Sequence, residues 1–388
     1  MRILLAHNFY RSSAPSGEDA VFRNEREMLL KHQDVISFER YNDDIDDSTL
    51  MRKIRLVKDG TWSRQTYDEL NLLIRAQRPD IAHFHNTFPQ ISPSAYAACQ
   101  DNGVPVVQTL HNYRLVCPNA LLMRDGKPCE DCIGKNLWPA IRYRCYRNSL
   151  SATAAQVWML VRNRLRGSYL TLVNRYIALT DFAAGRMIAG GFPAERISVK
   201  PNFLPEPPCP GEGDGGYAIF VGRLSEEKGI RTLLTAWQDV SGMSLKLVGD
   251  GPLKDEVVSW IGDKPCPVEW LGYLGRDRIL ELVRNARLLI VPSLWYEGFP
   301  MVVLEAYACG TPVVASNIGS LSEVVWEGTT GFKFEAGNAA DLARVVNGVL
   351  SDGPMLTKLR EKVRSTFDEH YSEPTNYKQL MSIYEQTL

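Results

Sequence analysis

Short apolar runs alternate with helical periodicity along almost the whole chain. Ile3–Ala6, Val35–Phe38, Ile81–His85, Val104–Leu110, Arg175–Leu179 and Ile197–Lys200 each read as a strand. Between the first two, Asp19–Lys31 repeats its apolar positions every three or four residues, which predicts an amphipathic helix. A second series runs through Tyr217–Val221, Leu245–Val248, Val268–Leu271, Leu288–Val291 and Pro312–Ala315. Helices are expected there over Leu253–Trp260, Asp277–Asn285 and Met301–Cys309. Strands that alternate with helices imply parallel sheets, so the expected class is α/β with two doubly wound sheets.

The segment L-P-E-P-P-C-P-G-E-G-D-G-G, residues 204–216, interrupts the rhythm with proline and glycine and reads as a linker. The expected organisation is a first domain over 1–203, a linker over 204–216 and a second domain over 217–372. An amphipathic helix over 373–388 would then be free to pack back on the first domain. No internal repeat is evident.

Composition adds a charge asymmetry. The whole chain of 388 residues is near neutral, at net −1. Residues 1–200 hold 27 Lys/Arg against 20 Asp/Glu, and residues 201–388 hold 17 against 25. A basic first half suggests an anionic partner. No nucleic-acid motif accompanies it, so nucleic acid is not expected; a membrane surface or a phosphorylated acceptor is preferred. The basic character peaks in residues 138–176, where seven arginines (142, 144, 147, 162, 164, 166 and 175) mix with Trp138, Trp158 and tyrosines, and no acid or lysine occurs. That mixture suits anionic lipid headgroups or a polyprenyl-diphosphate acceptor. The first residues, M-R-I-L-L-A-H, are too short an apolar stretch for a signal peptide, and no run approaches a membrane span. The expected location is cytoplasmic, at most peripheral on the inner face of the cell membrane. Just before the arginines, Cys117, Cys129, Cys132 and Cys145 have the spacing C-x11-C-x2-C-x12-C, which could supply four thiolates to a structural zinc or remain reduced thiols.

Candidate chemistry concentrates in the second half. Glu297 and Glu305 bracket E-G-F-P-M-V-V-L-E. One acid lies on a loop at a strand's C-terminal end, with Gly298 beside it. The other lies inside the following helix, whose first turn suits Pro300. Open α/β sheets bind ligands at such strand ends, and a helix N-terminus favours anions. Earlier, the strand Tyr217–Val221 runs into G-R-L-S-E-E-K-G. There Gly222 allows close backbone approach, and Arg223 and Lys228 supply two cations able to hold phosphate oxygens. No Asp-x-Asp lies at a strand end to hold a metal–diphosphate; the nearest, Asp44–Ile45–Asp46, is in an acidic loop.

These motifs, with V-G-D-G-P and A-C-G-T-P-V-V-A-S, resemble those of the family 4 retaining glycosyltransferases of the GT-B fold. The resemblance covers nearly the whole chain. It implies two Rossmann-like domains facing across a cleft, and transfer of a sugar from a nucleoside diphosphate sugar to a hydroxyl without a metal or other cofactor. UDP- or GDP-linked sugars are the implied donors. The implied acceptor is a glycan or a polyprenyl-diphosphate-linked glycan, in cell-surface polysaccharide or glycolipid assembly. It further implies that Glu305 holds the ribose, that Glu297 and the backbone of Gly298, Phe299 and Pro300 face the transferred sugar, and that Arg223 and Lys228 grip its diphosphate. Leu274, in L-G-Y-L-G, would lie against the base. His111, at the end of the strand V-P-V-V-Q-T-L, would stand beside the anomeric carbon, orienting the sugar or stabilising developing charge. In the loop A-P-S-G-E-D-A, Gly17 would let the backbone approach the donor, while Glu18 or Asp19 would touch the acceptor. Asp19 has a simpler reading as a helix N-cap. His83 and His85 fall on one strand face like a metal pair, with no third ligand evident in the sequence.

Two other classes remain open. A nicotinamide-dependent oxidoreductase needs a G-x-G-x-x-G turn that is absent. A catalytically silent nucleotide-sugar-binding protein would have no need to keep Glu297, Glu305, Arg223, Lys228 and His111 together.

Overall fold

Fourteen strands are formed by the residues that the computed structural model describes, which are 1–13, 16–263, 267–351 and 353–388. In chain order they are β1 (Arg2–Phe9), β2 (Asp34–Tyr41), β3 (Ile81–Phe84), β4 (Val106–Leu110), the small hairpin β5 (Met123–Arg124) and β6 (Lys127–Pro128), β7 (Arg175–Ala178) and β8 (Ile197–Val199). The series continues with β9 (Tyr217–Val221), β10 (Ser244–Val248), β11 (Val268–Trp270), β12 (Leu288–Val291), β13 (Val313–Ser316) and β14 (Gly331–Phe334). The chain divides into two units. One comprises Met1–Leu122, Glu130–Asn202 and Asn376–Leu388, and the other Met123–Cys129 and Phe203–Thr375.

Each unit holds one parallel six-stranded sheet. The first has the order β2-β1-β3-β4-β7-β8 and the second β11-β10-β9-β12-β13-β14. Helices cover both faces, so β3, β4, β12 and β13 are buried at every position. This is why β12 reads as an unbroken apolar run and the other three show no alternation of apolar and polar positions. In each sheet the first strand in sequence is flanked on one side by the second and on the other by a later strand. The order therefore reverses between β1 and β3 in the first unit, and between β9 and β12 in the second. Crevices at such reversals are where open α/β sheets take ligands.

Most strands and helices lie within two residues of their expected bounds. The strand expected from Pro312 begins at Val313, and that expected from Val104 begins at Val106, just after Pro105. A proline has no N–H to give to a sheet. Several elements were not anticipated, among them the helices Leu50–Thr61, Arg64–Gln77, Leu150–Leu165 and Ala339–Leu350 and the strand β14. No described helix is long and apolar enough to cross a membrane.

The segment 204–216 differs from a free linker. The N–H of Gly211 donates to Cys309 O at 3.0 Å and that of Gly215 to Asn285 O at 2.9 Å. The Arg360 guanidinium donates to Gly211 O and to Ala286 O, both at 3.0 Å. A Cβ on Gly211 would stand 2.3 Å from Arg284 O. Glycine is here for backbone contact with the second unit, although the same composition describes a flexible tether.

The helix Glu373–Glu385 buries Asn376 and Tyr384 within the first unit. Cys132 joins Leu137, Ala140, Val157 and Leu160 in a minor core, with Cys145 against it. Among the described residues, the set of three donor atoms close enough for a metal is Glu25, His83 and His85. Cys129 belongs to the hairpin segment of the second unit, while Cys117, Cys132 and Cys145 belong to the first.

Candidate active site

In the second unit, the loops after β9 and β12 leave from the two strands that flank the reversal, and a set of glycines fastens them. Gly229, at φ 71°, ends the E-E-K-G turn, and a Cβ on it would lie 1.8 Å from Pro292 O. The N–H of Leu294 donates to Glu227 O at 2.8 Å. This contact brings Lys228 to Glu297: Nζ donates to Glu297 Oε1 at 2.6 Å, and Ser293 Oγ donates to the same oxygen at 2.7 Å. Glu297 is buried, and Lys228 also lies over the Trp295 ring, 5.5 Å from its centroid. The buried Trp295 Nε1 has no partner among the described residues.

V-G-D-G-P proves to be a brace. Gly249, at φ 134°, would place a Cβ 2.0 Å from Gly222 O, and Gly251 would place one 2.5 Å from Leu224 O. Leu224 N–H donates to Asp250 O at 2.9 Å, and Asp250 Oδ1 accepts from Gly251 N–H. The brace holds Gly222 and the exposed Arg223 at the end of β9. Gly249 N–H donates to Gly272 O, which ties in the loop Leu271–Gly275, where Leu274 is half-buried.

Pro300 is the N-cap of the helix Met301–Ala308, one position ahead of the expected first turn. Phe299 is buried against Tyr371, with ring centroids 5.8 Å apart, so its backbone is what the loop can offer a ligand. Glu305 is half-buried one turn into the helix, with Arg276 Nε 3.8 Å away. Burial pushes its carboxyl up from the ordinary range, and Arg276 offsets part of that. Sequence reading missed Arg276, Ser293 and Trp295. Ser293 and Trp295 lie within five residues of Glu297, but nothing in the pattern singled them out.

In the first unit, the corresponding edge carries His111 after β4 and Gly17–Asp19 after β1. Gly17 opens the helix Gly17–Leu30, and a Cβ there would meet nothing within 4 Å. The N-cap is Ser16, and Asp19 is its reciprocal partner in a capping box, accepting from Ser16 N–H. Asp19 Oδ1 also accepts from Tyr10 N–H and from His7 Nε2 at 2.8 Å. Three donors thus hold that buried carboxylate in place. Glu18 accepts from Asn112 Nδ2 at 2.8 Å and from Tyr10 OH at 3.2 Å, which ties it to the residue that follows His111. Burial raises its carboxyl against the pull of Asn112 and Arg114. His111 stacks on His85 with centroids 5.1 Å apart, and burial holds its pKa well below 6.5.

Over 100% of both chains the fold matches Anabaena HepE, crystallised with UDP, at a TM-score of 0.67 and 18% identity. It also matches sucrose-phosphate synthase from Thermosynechococcus elongatus over 100% of this chain and 98% of that one, at 0.71 and 17%. The fold is thus that of the GT-B glycosyltransferases. The model described as Glycosyltransferase Family 4 matches residues 34–205, and that described as Glycosyl transferases group 1 matches residues 210–366. The chain belongs to the family 4 glycosyltransferases. An uncharacterized glycosyltransferase of Methanocaldococcus jannaschii is 32% identical over 42% of this chain and 44% of that protein. The 2-deoxystreptamine glucosyltransferase of Streptomyces kanamyceticus is 28% identical over 70% and 68%. The chain spans less than half the length of the first curated relatives that it matches.

Proposed function

We propose that this chain transfers a sugar, with retention at the anomeric carbon, from a nucleoside diphosphate sugar to a hydroxyl of a glycan or lipid-linked acceptor. The observation that carries the reading is the Lys228–Glu297 pair at the sheet reversal, next to exposed Arg223 and half-buried Glu305. Arg223 and Lys228 supply two positive charges for a departing diphosphate, worth more in a water-poor site than in bulk. In this reading Arg223 and Lys228 take the place that a metal would otherwise fill beside the diphosphate. The unpartnered Trp295 N–H supports an acceptor-rich ligand beside them. Glu305 offers two carboxylate oxygens to the paired hydroxyls of a ribose. Glu297 and the backbone of Gly298–Pro300 face the sugar, and Leu274 the base. His111 orients the sugar, Gly17 leaves room for the donor, and Glu18 lies on the acceptor side. A released diphosphate able to take the proton of the incoming hydroxyl removes the need for a protein base.

UDP in the HepE structures makes UDP-sugars the first donors to try, ahead of GDP-sugars. The test is nucleotide release across a panel of donor sugars. Lys228→Ala is expected to lower turnover by about 10²–10³-fold. Glu305→Ala is expected to lose most of its activity, with both variants still folded. Near-normal turnover in either refutes the assignment. Thermal stabilisation by NAD, and not by UDP, GDP or ADP, would instead favour an oxidoreductase.

The acceptor side is read as meeting an anionic membrane surface. The helices Leu50–Thr61 and Leu150–Leu165 pack together and expose Leu50, Met51, Ile54, Trp158 and Leu165 among basic residues. Arg162 lies over the Trp158 ring. Apolar side chains framed by arginine suit the headgroup layer. Co-sedimentation with phosphatidylglycerol vesicles should exceed that with phosphatidylcholine vesicles, and no preference would count against it.

A further inference from the structure

A buried line of ionisable groups ends at His111, and its inner members take no part in the reaction proposed above. Glu25 projects from the helix Gly17–Leu30, His83 from β3, His85 from the end of β3 and Lys200 from the residue after β8; all four are buried. Glu25 Oε1 is 3.0 Å from His85 Nε2 and 3.1 Å from His83 Nδ1, while Oε2 accepts from Lys200 Nζ at 3.0 Å. Lys200 also donates to Asn376 Oδ1 at 2.9 Å. His83 meets Tyr384 OH through Nδ1 and Thr109 Oγ1 through Nε2, both at 2.7 Å. His85 Nδ1 lies 2.9 Å from His111 Nε2. Glu25, His83 and His85 have the proximity of a metal triad. Yet the Lys200 ammonium already lies against the carboxylate, so its charge is matched without an added cation.

The partners fix where the protons sit. Burial works against an ionised Glu25, but Lys200, His85 and His83 override it and hold the carboxyl well below its ordinary value. An ionised carboxylate only accepts, so the His85 nitrogen facing it carries the hydrogen. Burial lowers the pKa of His85 to about 4, which keeps the ring neutral and leaves Nδ1 as a lone pair. The His111 nitrogen facing that lone pair must donate. His111 is neutral too, so its hydrogen is on Nε2 and its Nδ1 is free to accept. Nδ1 of His111 has no hydrogen-bond partner among the described residues.

We propose that Glu25 is a positioning residue that, through His85, fixes His111 as the Nε2–H tautomer, so that His111 meets the transferred sugar as an acceptor for a hydroxyl. The inference rests on the reading of His111 given above. It fixes the polarity of that contact: His111 accepts a sugar hydroxyl and donates no hydrogen to the leaving diphosphate. The part of a tautomer-setting carboxylate is familiar from hydrolytic triads, although here the ring it sets is one removed.

The chain has six histidines, so 15N-histidine labelling of the full protein gives a readable long-range 1H–15N spectrum. His85 and His111, assigned by substitution, are expected as neutral Nε2–H rings at pH 7. A charged or Nδ1–H His111 overturns the proposal whether or not a donor has been found. Glu25→Gln alone strands the Lys200 ammonium, so it is paired with Lys200→Met. In the folded double variant the amide N–H can face His85, and the His111 signal should move toward the other tautomer. Its kcat for donor hydrolysis should fall roughly tenfold or more, with a smaller change in KM. In a His111→Ala background the same pair should cost nothing further, and an equal loss in both backgrounds overturns the proposal. An unmoved His111 signal in the double variant does so as well. Failure to turn over any donor would instead remove the function reading and leave the spectral result standing.

Discussion

Glu305 has its carboxylate in a place that the fold alone does not favour. Its folded pKa is raised, so the folded state binds a proton more readily than the unfolded one. Stability is therefore lost as pH rises through the folded value, and at pH 7 the ionised side chain is a cost. Arg276, 3.8 Å away and half-exposed, relieves it only in part. Glu305→Gln should hold or raise the thermal midpoint. The same change should weaken UDP binding by about 1.5–3 kcal/mol, roughly 10- to 150-fold in Kd, because hydrogen bonds to a charged acceptor are lost. Titration calorimetry and thermal unfolding read the two effects separately, and unchanged UDP affinity would remove the ribose role. Lys228 and Glu297 differ, since they are ion-paired and removing Lys228 takes the neighbouring cation from a buried carboxylate.

The loops at the ends of β9 and β12 show how an element imposes geometry on a residue. Gly229 sits at a positive φ with Pro292 O against its α-carbon, so a methyl there must push the two strand ends apart. Gly229→Ala is expected to cost about 1–3 kcal/mol in backbone strain, and more from the clash, and to separate Lys228 from Glu297. A fallen thermal midpoint together with lost turnover is the expected result; wild-type values of both would contradict the account. Gly17→Ala is the contrast, with open space before its Cβ and no positive φ, so its stability should hold. The site of the second unit was legible because its residues lie in continuous motifs on neighbouring strand ends. The bracing role of V-G-D-G-P was not legible, since its contact with Gly222 joins segments 27 residues apart. β14 escaped notice because G-F-K-F is too short for a period to show, and it is pinned by Gly331 against Val313 O. Glu25, His83 and Lys200 share no local pattern at all, being separated by 58 and 117 residues of sequence. The prolines and glycines of 204–216 suggested a tether because composition is blind to what a backbone leans on.

Across the whole molecule, acid should act first on the first unit. His7, His85 and His111 all have lowered pKa values there, chiefly through burial. In the unfolded chain they take protons near 6.5, and in the fold they do not, so stability is lost as pH falls below that value. For His85, a shift from 6.5 to about 4 corresponds to about 3 kcal/mol. Glu25 adds a loss below its ordinary 4.5, while the raised Glu18 acts in the opposite sense. Thermal unfolding should begin at lower temperature at pH 5 than at pH 7, and a midpoint that rises on acidification would contradict the assignment. The same unit has another dependence, set by where its last pieces lie. Lys200 finds Asn376, and His83 finds Tyr384, 176 and 301 residues further along the chain. A growing polypeptide must therefore expose the interior of this unit while the whole of Phe203–Thr375 is still being translated. The half that begins on the ribosome first is completed last, and a nascent chain stalled before Asn376 presents chaperones and proteases with a Lys200 ammonium and a His83 imidazole each short of one partner.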